Sequence, residues 1–529
     1  MKYAKIIDNR KCIGCHACSV ACKEENQVPL GVFRTWVKYV EKGKFPNTRR
    51  HFQVTRCNQC ENPPCVRICP TAAMYRRPDG IVEFDADQCI GCKACLEACP
   101  YDAIYVDPET HTAAKCHFCA HRIDRGLEPA CVIVCPERAI IVGDMDDPNS
   151  QVSQLLAREQ VSVRKPEQGT RPKLFYIQGE TAALDPLVAS RPESWMWADH
   201  GDSGYAPEQV AAPNGWLDGP IQRTGSFVSG FVQTVYDVPH QVPWGWKVST
   251  YLWTKSIGAG AFFVPALLLG FGGQLPDLFA TLAALVALLF MGITTFLLVW
   301  DLKRPERFLK IVFRPQKRSW LAIGAFILMG FTVSAGVWFL ASAGQLDAVR
   351  SRVSLPLDWL QLTRTILNFP AALLAILSAI YSAFLFSQAE GRDLWQSPLL
   401  PLNLFLHATA AGTAVLLILS ALMNLPISAL LPTLAAALGF LLATQLLGDF
   451  AVLHSTTNAH QGHYLMTHGR YGRLFWSGIF AQALGLGLAL VAIVLVSLPL
   501  GALGGIFALA GLLAVEHAWV QAGQLVPNS

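Results

Sequence analysis

The chain has 529 residues, enough for two or three domains. Its net charge of +4 is too small to indicate binding to nucleic acid. The 52% of hydrophobic residues is unevenly distributed: the first 240 residues are polar and punctuated by cysteine, whereas long apolar runs dominate from Ser249 onward. The composition therefore predicts a soluble head followed by a membrane body.

Every cysteine of the sequence lies between Cys12 and Cys135. The 16 residues form four groups of four, and the first and third groups show the spacing C-x2-C-x2-C-x3-C. In bacterial two-cluster ferredoxins the first three cysteines of such a run hold one iron–sulfur cluster and the fourth holds the other. With four thiolates for each cubane, the count predicts four 4Fe–4S clusters. The groups are Cys12, Cys15, Cys18 and Cys22; Cys57, Cys60, Cys65 and Cys69; Cys89, Cys92, Cys95 and Cys99; and Cys116, Cys119, Cys131 and Cys135.

Two other uses of cysteine fit this pattern less well. A disulfide scaffold needs an oxidising compartment and is typical of short secreted chains, and residues 1–13 contain no apolar signal core. Structural zinc sites use two C-x-x-C pairs, whereas these groups are triplets with a trailing cysteine. The spacing therefore favours iron–sulfur clusters.

The head, residues 1–147, is predicted to be an α+β ferredoxin-like iron–sulfur domain. A turn at 77–80 precedes a short strand at 81–84, and irregular loops are expected around the clusters. Residues 70–104 and 115–136 resemble the four-cluster electron-transfer subunits of molybdopterin oxidoreductases, such as the dimethyl sulfoxide, polysulfide and formate enzymes. The resemblance implies a molybdopterin (molybdenum or tungsten) catalytic subunit as the partner.

The resemblance also implies that each cluster takes three cysteines from one group and the fourth from another. Some relatives replace one cysteine of the fourth group by tryptophan and hold a three-iron cluster, but this chain keeps all 16. Lys93, Lys115 and Arg67 lie beside cysteines and would raise cluster potentials, because a cation stabilises the more negative reduced form. The implied sets are Cys12, Cys15 and Cys18 with Cys135; Cys116, Cys119 and Cys131 with Cys22; Cys57, Cys60 and Cys65 with Cys99; and Cys89, Cys92 and Cys95 with Cys69.

The connector, residues 148–246, is rich in Pro, Gly and Gln. Residues 165–177 resemble the closing strand of the same iron–sulfur family. Residues 185–235 show little periodicity, and a stretch of this length predicts a strap lying on the head or on the membrane surface.

The membrane body, residues 247–529, contains eight apolar runs long enough to cross a bilayer, which needs about 20 residues for each helix. It is therefore predicted to be an all-α bundle of eight transmembrane helices. The even number places both ends of the body on the head side, together with the loops at 301–318, 388–398 and 449–472. The runs are roughly 249–271, 276–300, 319–342, 365–387, 399–423, 427–448, 473–497 and 500–522.

Positive charge predicts the orientation of this bundle in the membrane. The head-side loops carry nine Lys and Arg residues, and the opposite loops carry three. No twin-arginine or secretory signal precedes Cys12. We therefore expect a protein of the inner (cytoplasmic) membrane with a cytoplasmic head, unless a partner carries an export signal for both. The nine are Lys303, Arg304, Arg307, Lys310, Arg314, Lys317, Arg318, Arg392 and Arg470, and the three are Arg350, Arg352 and Arg364.

Residues 242–262, 300–311 and 394–408 resemble the eight-helix NrfD/polysulfide reductase membrane subunits, and the resemblance extends roughly over 236–522. That family is haem-free and handles quinones, so the resemblance implies a quinone or quinol site. The sequence resembles a fusion of two subunits that are usually separate.

Polar side chains inside a bilayer are costly and are therefore candidates for function. Lys255, near the start of the first helix, could hydrogen-bond a quinone carbonyl or deliver a proton, or it could simply extend to the interface. Tyr381 lies in the fourth helix, where the resemblance implies a quinone-site tyrosine, although interhelical packing would also explain it. Asp301 and Arg304 flank a helix end on the head side, where they could pair at a quinone entrance or serve topology alone.

His407 in the fifth helix could be a packing residue, a proton relay or a haem ligand. A bis-histidine haem needs a second histidine at matching depth, and the other histidines of the body provide no clear partner. The packing role is favoured, with a proton relay as the main alternative.

No motif of a pterin, flavin or nicotinamide site is found, so the substrate chemistry is expected on a partner subunit. The protein is interpreted as a component of a quinone-linked oxidoreductase complex, and the sequence leaves open whether it is itself an enzyme. The sequence predicts an electron-transfer and membrane-anchor subunit of a respiratory oxidoreductase, which relays electrons between a catalytic subunit and the quinone pool. The alternatives are an ion-translocating module, a haem-containing quinone-linked subunit and, less favoured, a zinc-bound scaffold.

Overall fold

The computed structural model describes most of the chain. Most of the segment 185–235, for which the sequence predicted a strap, lies outside the described residues. The described residues are 1–43, 46–189, 196–197, 232–351, 356–451 and 454–529.

Two four-stranded sheets and two hairpins form the described part of the head. The first sheet has the order β8-β1-β10-β9, the second has the order β11-β12-β2-β3, and β4-β5 and β6-β7 are antiparallel hairpins. Strand β10 pairs with β1, and β12 pairs with β2, so strands from the connector complete both sheets. The strands are β1 Tyr3–Asp8, β2 Thr35–Lys42, β3 Arg49–Arg56, β4 Met74–Arg76, β5 Val82–Phe84, β6 Ile104–Val106, β7 Ala113–Lys115, β8 Ile140–Asp144, β9 Val161–Ser162, β10 Leu174–Ile177, β11 Met196–Trp197 and β12 Val232–Asp237.

Short helices follow the cysteine loops. His16 precedes α1 with φ of 61°, and Lys93 precedes α3 with φ of 64°. Gly14 and Gly91, two residues earlier, are also left-handed, with φ of 72° and 70°. The first and third cysteine groups are therefore the same loop used twice, as the predicted ferredoxin-like fold requires. The helices of the head are α1 Ala17–Glu25, α2 Pro64–Ile68, α3 Ala94–Ala98, α4 Ala120–Ile123, α5 Ala130–Ile133, α6 Gln151–Arg158 and α7 Thr181–Leu184.

Eight helices of the described body are long and apolar enough to cross a membrane, which confirms the predicted number. The fourth begins at Leu357 rather than near 365, because its first turns are polar and a search for apolar runs passes over them. Arg364, predicted in a loop, lies within this helix, and its guanidinium is 2.7 Å from the Asp277 carboxylate. The helices of the body, including three short ones, are α8 Trp246–Gly270, α9 Asp277–Trp300, α10 Lys310–Phe313, α11 Trp320–Ala343, α12 Asp347–Arg350, α13 Leu357–Gln388, α14 Leu400–Leu422, α15 Leu431–Ala451, α16 Thr457–Thr467, α17 Gly472–Leu495 and α18 Leu498–Leu525.

Helices α8 and α14 touch backbone to backbone. A Cβ atom added to Gly260 would lie 1.9 Å from the carbonyl oxygen of Ala408, and one added to Gly412 would lie 2.1 Å from the carbonyl carbon of Gly260. Small residues allow this approach in a bilayer, where helix association depends on close packing. Because both helices begin at the head side, Lys255 and His407, each five residues before its glycine, lie at similar depth.

The head rests on the loops at the near end of the bundle. The backbone N–H groups of Lys303 and Arg304 donate to the carbonyls of Gly91 and Ile90, each at 3.2 Å. A Cβ atom on Gly91 would lie 2.6 Å from Lys303 Cβ, so the third cysteine loop needs glycine at this contact. The membrane body therefore touches the backbone of a cysteine loop directly.

A buried ion pair joins the head to two separate parts of the body. Arg392 Nε, in the loop after α13, donates to Glu97 Oε2 of α3 at 2.5 Å. Arg392 Nη1 donates to the carbonyls of Gln524 and Val526 at the C-terminal end of α18, each at 3.0 Å. The side chains of Glu97 and Arg392 are 0% and 4% exposed. One guanidinium therefore holds together the head, a membrane loop and the C-terminal residues.

Replacing Arg392 by methionine is expected to destabilise the head–membrane contact, because Glu97 would stay buried without its counter-charge, at a cost of about 3–5 kcal/mol. The apparent Tm in detergent should fall by several degrees. The matched control is Arg50→Met, which removes an arginine from an exposed pair with Glu41 and should change the Tm little. Equal effects of the two substitutions would contradict the prediction.

Candidate functional site

The fold brings the sixteen cysteines together in four interleaved sets. Burial raises the pKa of Cys22 most, and the neighbouring thiols Cys116 and Cys131 raise it further. In the same way, burial and then Cys92, Cys89 and Cys69 raise the pKa of Cys95. The grouping agrees with the crossed pattern that the family resemblance implies, and cluster ligation itself stays a prediction. We name the sets A (Cys12, Cys15, Cys18, Cys135), B (Cys22, Cys116, Cys119, Cys131), C (Cys57, Cys60, Cys65, Cys99) and D (Cys69, Cys89, Cys92, Cys95).

Two of the sets surround cavities. One cavity is lined by all four cysteines of set B, and another by all four of set D. No group of three or more His, Cys, Asp or Glu in the described residues suits a single metal ion, whereas a cubane needs its four sulfurs around a larger space. Buried thiols with raised pKa values resist ionisation unless metal supplies the counter-charge. The donor set and the cavities therefore fit iron–sulfur cubanes.

Hydrogen-bond donors point at the cysteine sulfurs. The backbone N–H groups of Gly91 and Ala113 donate to Cys89 Sγ, each at 3.4 Å. Arg56 Nη1 donates to Cys131 Sγ at 2.9 Å. Such donors stabilise ligated, anionic sulfur and tune a cluster's potential.

The sets follow one another from the surface to the membrane. Cys15 of set A is exposed, and Cys18 of set A lies near Cys131 of set B. Lys115 lies between sets B and C. Its Nζ donates to the Cys116 carbonyl of set B at 3.2 Å. Burial raises the pKa of Cys65 of set C, and the nearby charge of Lys115 partly opposes that rise. Set C meets set D where Cys69 lies near Cys65.

Set D lies against the membrane body. Arg307 Nη1, in the loop after α9, donates to the Cys89 carbonyl at 3.1 Å. Trp244 Nε1, just before α8, donates to the Cys92 carbonyl at 3.4 Å. The four sets therefore span the head from an exposed end to the bilayer side.

Asp301 and Arg304 bind the head rather than each other. Asp301 Oδ2 lies 2.8 Å from Lys93 Nζ, beside Cys92 of set D. Arg304 Nε donates to the Thr110 carbonyl at 2.8 Å, and its Nη1 lies 3.3 Å from Glu306. Of the two alternatives, the structure does not show the pairing: Asp301 and Arg304 each contact the head instead.

Lys255 and Tyr381 meet inside the bundle. Lys255 Nζ donates to Ser382 Oγ at 2.6 Å and to the Ala379 carbonyl at 3.0 Å, and it lies 4.8 Å from the centre of the Tyr381 ring. Lys255 is 0% exposed, so it does not extend to the interface. The arrangement holds an ammonium group beside a phenol within the head-side half of the bundle.

His407 faces a carboxylate rather than a second histidine. Its Nε2 lies 3.7 Å from Glu516 Oε2 of α18, and both side chains are buried. Sequence reasoning missed Glu516, although a lone carboxylate in an apolar run was a sufficient signal. It also missed Ser382 and Arg56, because only the tertiary structure reveals their partners.

Comparison with known proteins assigns both halves of the sequence. Residues 48–145 match the family described as 4Fe-4S dicluster domain, and residues 234–528 match that described as Polysulphide reductase, NrfD. The protein is 45% identical to the B subunit of tetrathionate reductase from Salmonella typhimurium over 200 residues, 37% of this chain and 80% of that protein. It is 46% identical to the B component of polysulfide reductase from Wolinella succinogenes over 187 residues, 35% and 98% of the two sequences. It is 42% identical to protein NrfC of Escherichia coli over 180 residues, which are 34% of this chain and 81% of that protein.

These relatives cover the iron–sulfur part alone, which agrees with a fusion. A head that binds 4Fe–4S clusters and is joined to eight membrane helices defines an electron-transfer protein with its own membrane anchor. The NrfD match covers more than half of the residues, and this protein belongs to the NrfD/polysulphide reductase family, with the iron–sulfur subunit fused in front.

Proposed function

We propose that this protein carries single electrons through four 4Fe–4S clusters, bound by sets A to D, between a molybdopterin (molybdenum or tungsten) catalytic subunit and a quinone in the membrane. The observation that carries the proposal is the order of the sets, from the exposed Cys15 to the contact of set D with the membrane loops. When bound, the clusters supply one-electron transfer. The substrate chemistry belongs to the partner.

The quinone is proposed to bind beside Lys255 and Tyr381. Conversion of a quinone to a quinol takes two electrons and two protons. The Lys255 ammonium is within hydrogen-bond distance of Ser382, and it could donate equally to a quinone carbonyl. Glu516 and His407 would hold or pass on a proton at their facing atoms, which are 3.7 Å apart. Asp301 would lie at the entrance of the quinone site, where its contact with Lys93 connects that entrance to set D.

The catalytic partner is proposed to dock over set A. Apolar side chains are exposed around its cysteines: Ile13, Val20 and Ile133 are 56%, 66% and 58% exposed. Helix α1, which carries Val20, packs against α5, which carries Ile133. An apolar patch around Cys15, the one exposed cysteine of the described residues, suits a protein partner that exchanges electrons there.

We also propose that the protein lies in the inner membrane with the head in the cytoplasm. The loops that contact the head carry the excess of Lys and Arg, including Arg307, which reaches the backbone of set D.

Crossed ligation makes a specific prediction for cysteine variants. Cys12→Ser and Cys135→Ser should alter the same EPR signal of the reduced protein, and the double variant should lose no further cluster, because both residues serve set A. Cys12→Ser combined with Cys22→Ser should affect two signals. Iron analysis should give about sixteen irons for the wild type, four for each of four cubanes. Independent effects of Cys12 and Cys135 would contradict the assignment.

Purification in mild detergent should recover the wild-type protein with a partner that contains molybdenum or tungsten. Ile133→Lys and Val20→Lys place a charge in the apolar patch and should reduce recovery of this partner, while the iron content stays unchanged. The matched control is Leu30→Lys, at a position 75% exposed in a loop that packs against β6 and β7. Recovery of a full complement of the partner with the patch variants would refute this docking surface, and a partner without either metal would refute the molybdopterin assignment.

Lys255→Met is expected to lower quinone-linked turnover, because the variant loses a charged hydrogen-bond donor worth about 1.5–3 kcal/mol, roughly ten- to a hundred-fold in kcat/KM. Lys247→Met, on the same helix, removes an ammonium that donates to the Trp300 carbonyl at the membrane surface, and it should leave turnover nearly unchanged. Both variants should keep all EPR signals. Normal quinone turnover in Lys255→Met would place the site elsewhere.

A further inference from the structure

The cavity of set B is lined by three cations. Lys5, Arg34 and Arg56 border it together with the four cysteines, and none of its lining residues is a carboxylate. Apart from its cysteines, the lining of this cavity therefore carries three cations and no carboxylate.

Arg56 is the most enclosed of the three cations. It lies at the end of β3 and is 1% exposed, with Nη1 at 2.9 Å from Cys131 Sγ. Its Nε and Nη2 are buried and have no hydrogen-bond partner in the described protein. A guanidinium with two unused donors beside cysteine sulfurs is costly unless a negatively charged group fills the cavity. The side chain also lies near Cys18, so it stands between sets A and B.

Lys5 and Arg34 complete the cationic lining without any carboxylate. Lys5 is 2% exposed, and its Nζ lies 4.2 Å from the centre of the Phe118 ring and has no hydrogen-bond partner in the described protein. Arg34 donates to neutral groups, the hydroxyl of Tyr105 and the amide oxygen of Asn26, each at 3.2 Å. Their charges are therefore compensated by no acidic side chain at the cavity.

The cavity of set D has a different charge balance. Its charged lining residues are Lys93 and Asp85, and Lys93 Nζ lies 2.8 Å from the Asp301 carboxylate. Arg307 contributes a further positive charge near Cys89, but it is only partly buried and is therefore screened by solvent. Two buried cations, Lys5 and Arg56, thus lie at set B without a carboxylate partner, whereas the buried cation of set D, Lys93, is paired with Asp301. Each set also has one partly buried arginine, Arg34 at set B and Arg307 at set D.

We propose that the positive charges of Arg56, Lys5 and Arg34 make the set B cluster easier to reduce than the set D cluster. Reduction adds one negative charge to a cluster, and a cation nearby in a medium of low dielectric constant stabilises that charge. An electron that enters at set D would then move downhill to set B. The charge distribution therefore favours the transfer step from set D to set B. This inference rests on the proposed ligation of clusters by sets A to D.

The test is an EPR-monitored redox titration of the purified full-length protein in detergent. The set B and set D clusters are identified by the signals that Cys119→Ser and Cys69→Ser alter. In the wild type, set B should titrate at the higher potential. Arg56→Gln should shift the midpoint of set B to a more negative value, whereas Arg56→Lys, which keeps the charge, should shift it less. Arg125→Gln removes an exposed arginine between two cysteines of set B, and it is the control that should shift nothing.

Two further variants keep the proposal open to refutation. If Arg56→Gln does not retain iron, Lys5→Gln removes a cation from the same cavity without touching a sulfur, and it should also lower the set B midpoint. Asp301→Asn leaves Lys93 without its counter-charge and should raise the set D midpoint. Unchanged midpoints in iron-replete Arg56→Gln or Lys5→Gln protein, or a wild-type set D potential above that of set B, would overturn the proposal. These potentials do not depend on the quinone or the catalytic partner, so the result is separate from those assignments.

Discussion

The crowding of sixteen cysteine thiols, ten of them buried, in one small domain is the constraint on which the rest of the head depends. The thiols must ionise to bind iron, yet burial and their own proximity oppose ionisation, as the raised pKa values of Cys22 and Cys95 indicate. Hydrogen-bond donors and cations around the sulfurs favour the ionised thiolates. Among them are Arg56 and the backbone N–H groups near Cys89. Metal binding and folding of this domain are therefore expected to be coupled.

The second constraint is the contact between set D and the bundle. Loops after α9 and α13 touch the backbone on either side of the cysteines, and the buried Arg392 ties α3 of the head to the end of α18. The residues at this junction serve both stability and charge: Asp301 anchors the head and at the same time neutralises Lys93. A substitution at the junction would alter both properties. Arg56 lies within the head and Lys255 within the bundle, so neither residue takes part in the junction.

The fusion of the two modules is structural as well as covalent. The connector adds β10 and β12 to the two sheets of the head before the chain enters the membrane, and the C-terminal segment returns to the head, where the Asn528 N–H donates to Asp102 at 3.0 Å. The head is thus held at both ends of the membrane body. Such a connection keeps set D next to the bundle without requiring the large interface that separate subunits need.

The sequence by itself determined the chemistry, the classes of fold and the number of membrane helices, because cysteine spacing and runs of about 20 apolar residues are local properties. It also singled out Lys255, Tyr381 and His407, since polar residues stand out in apolar runs. Only the tertiary structure decided their partners: Lys255 meets Ser382, His407 meets Glu516, and Asp301 meets Lys93 rather than Arg304. It also revealed the enclosed charge of Arg56. These pairings join residues far apart in the sequence, and their energies depend on burial and distance, which no local pattern encodes.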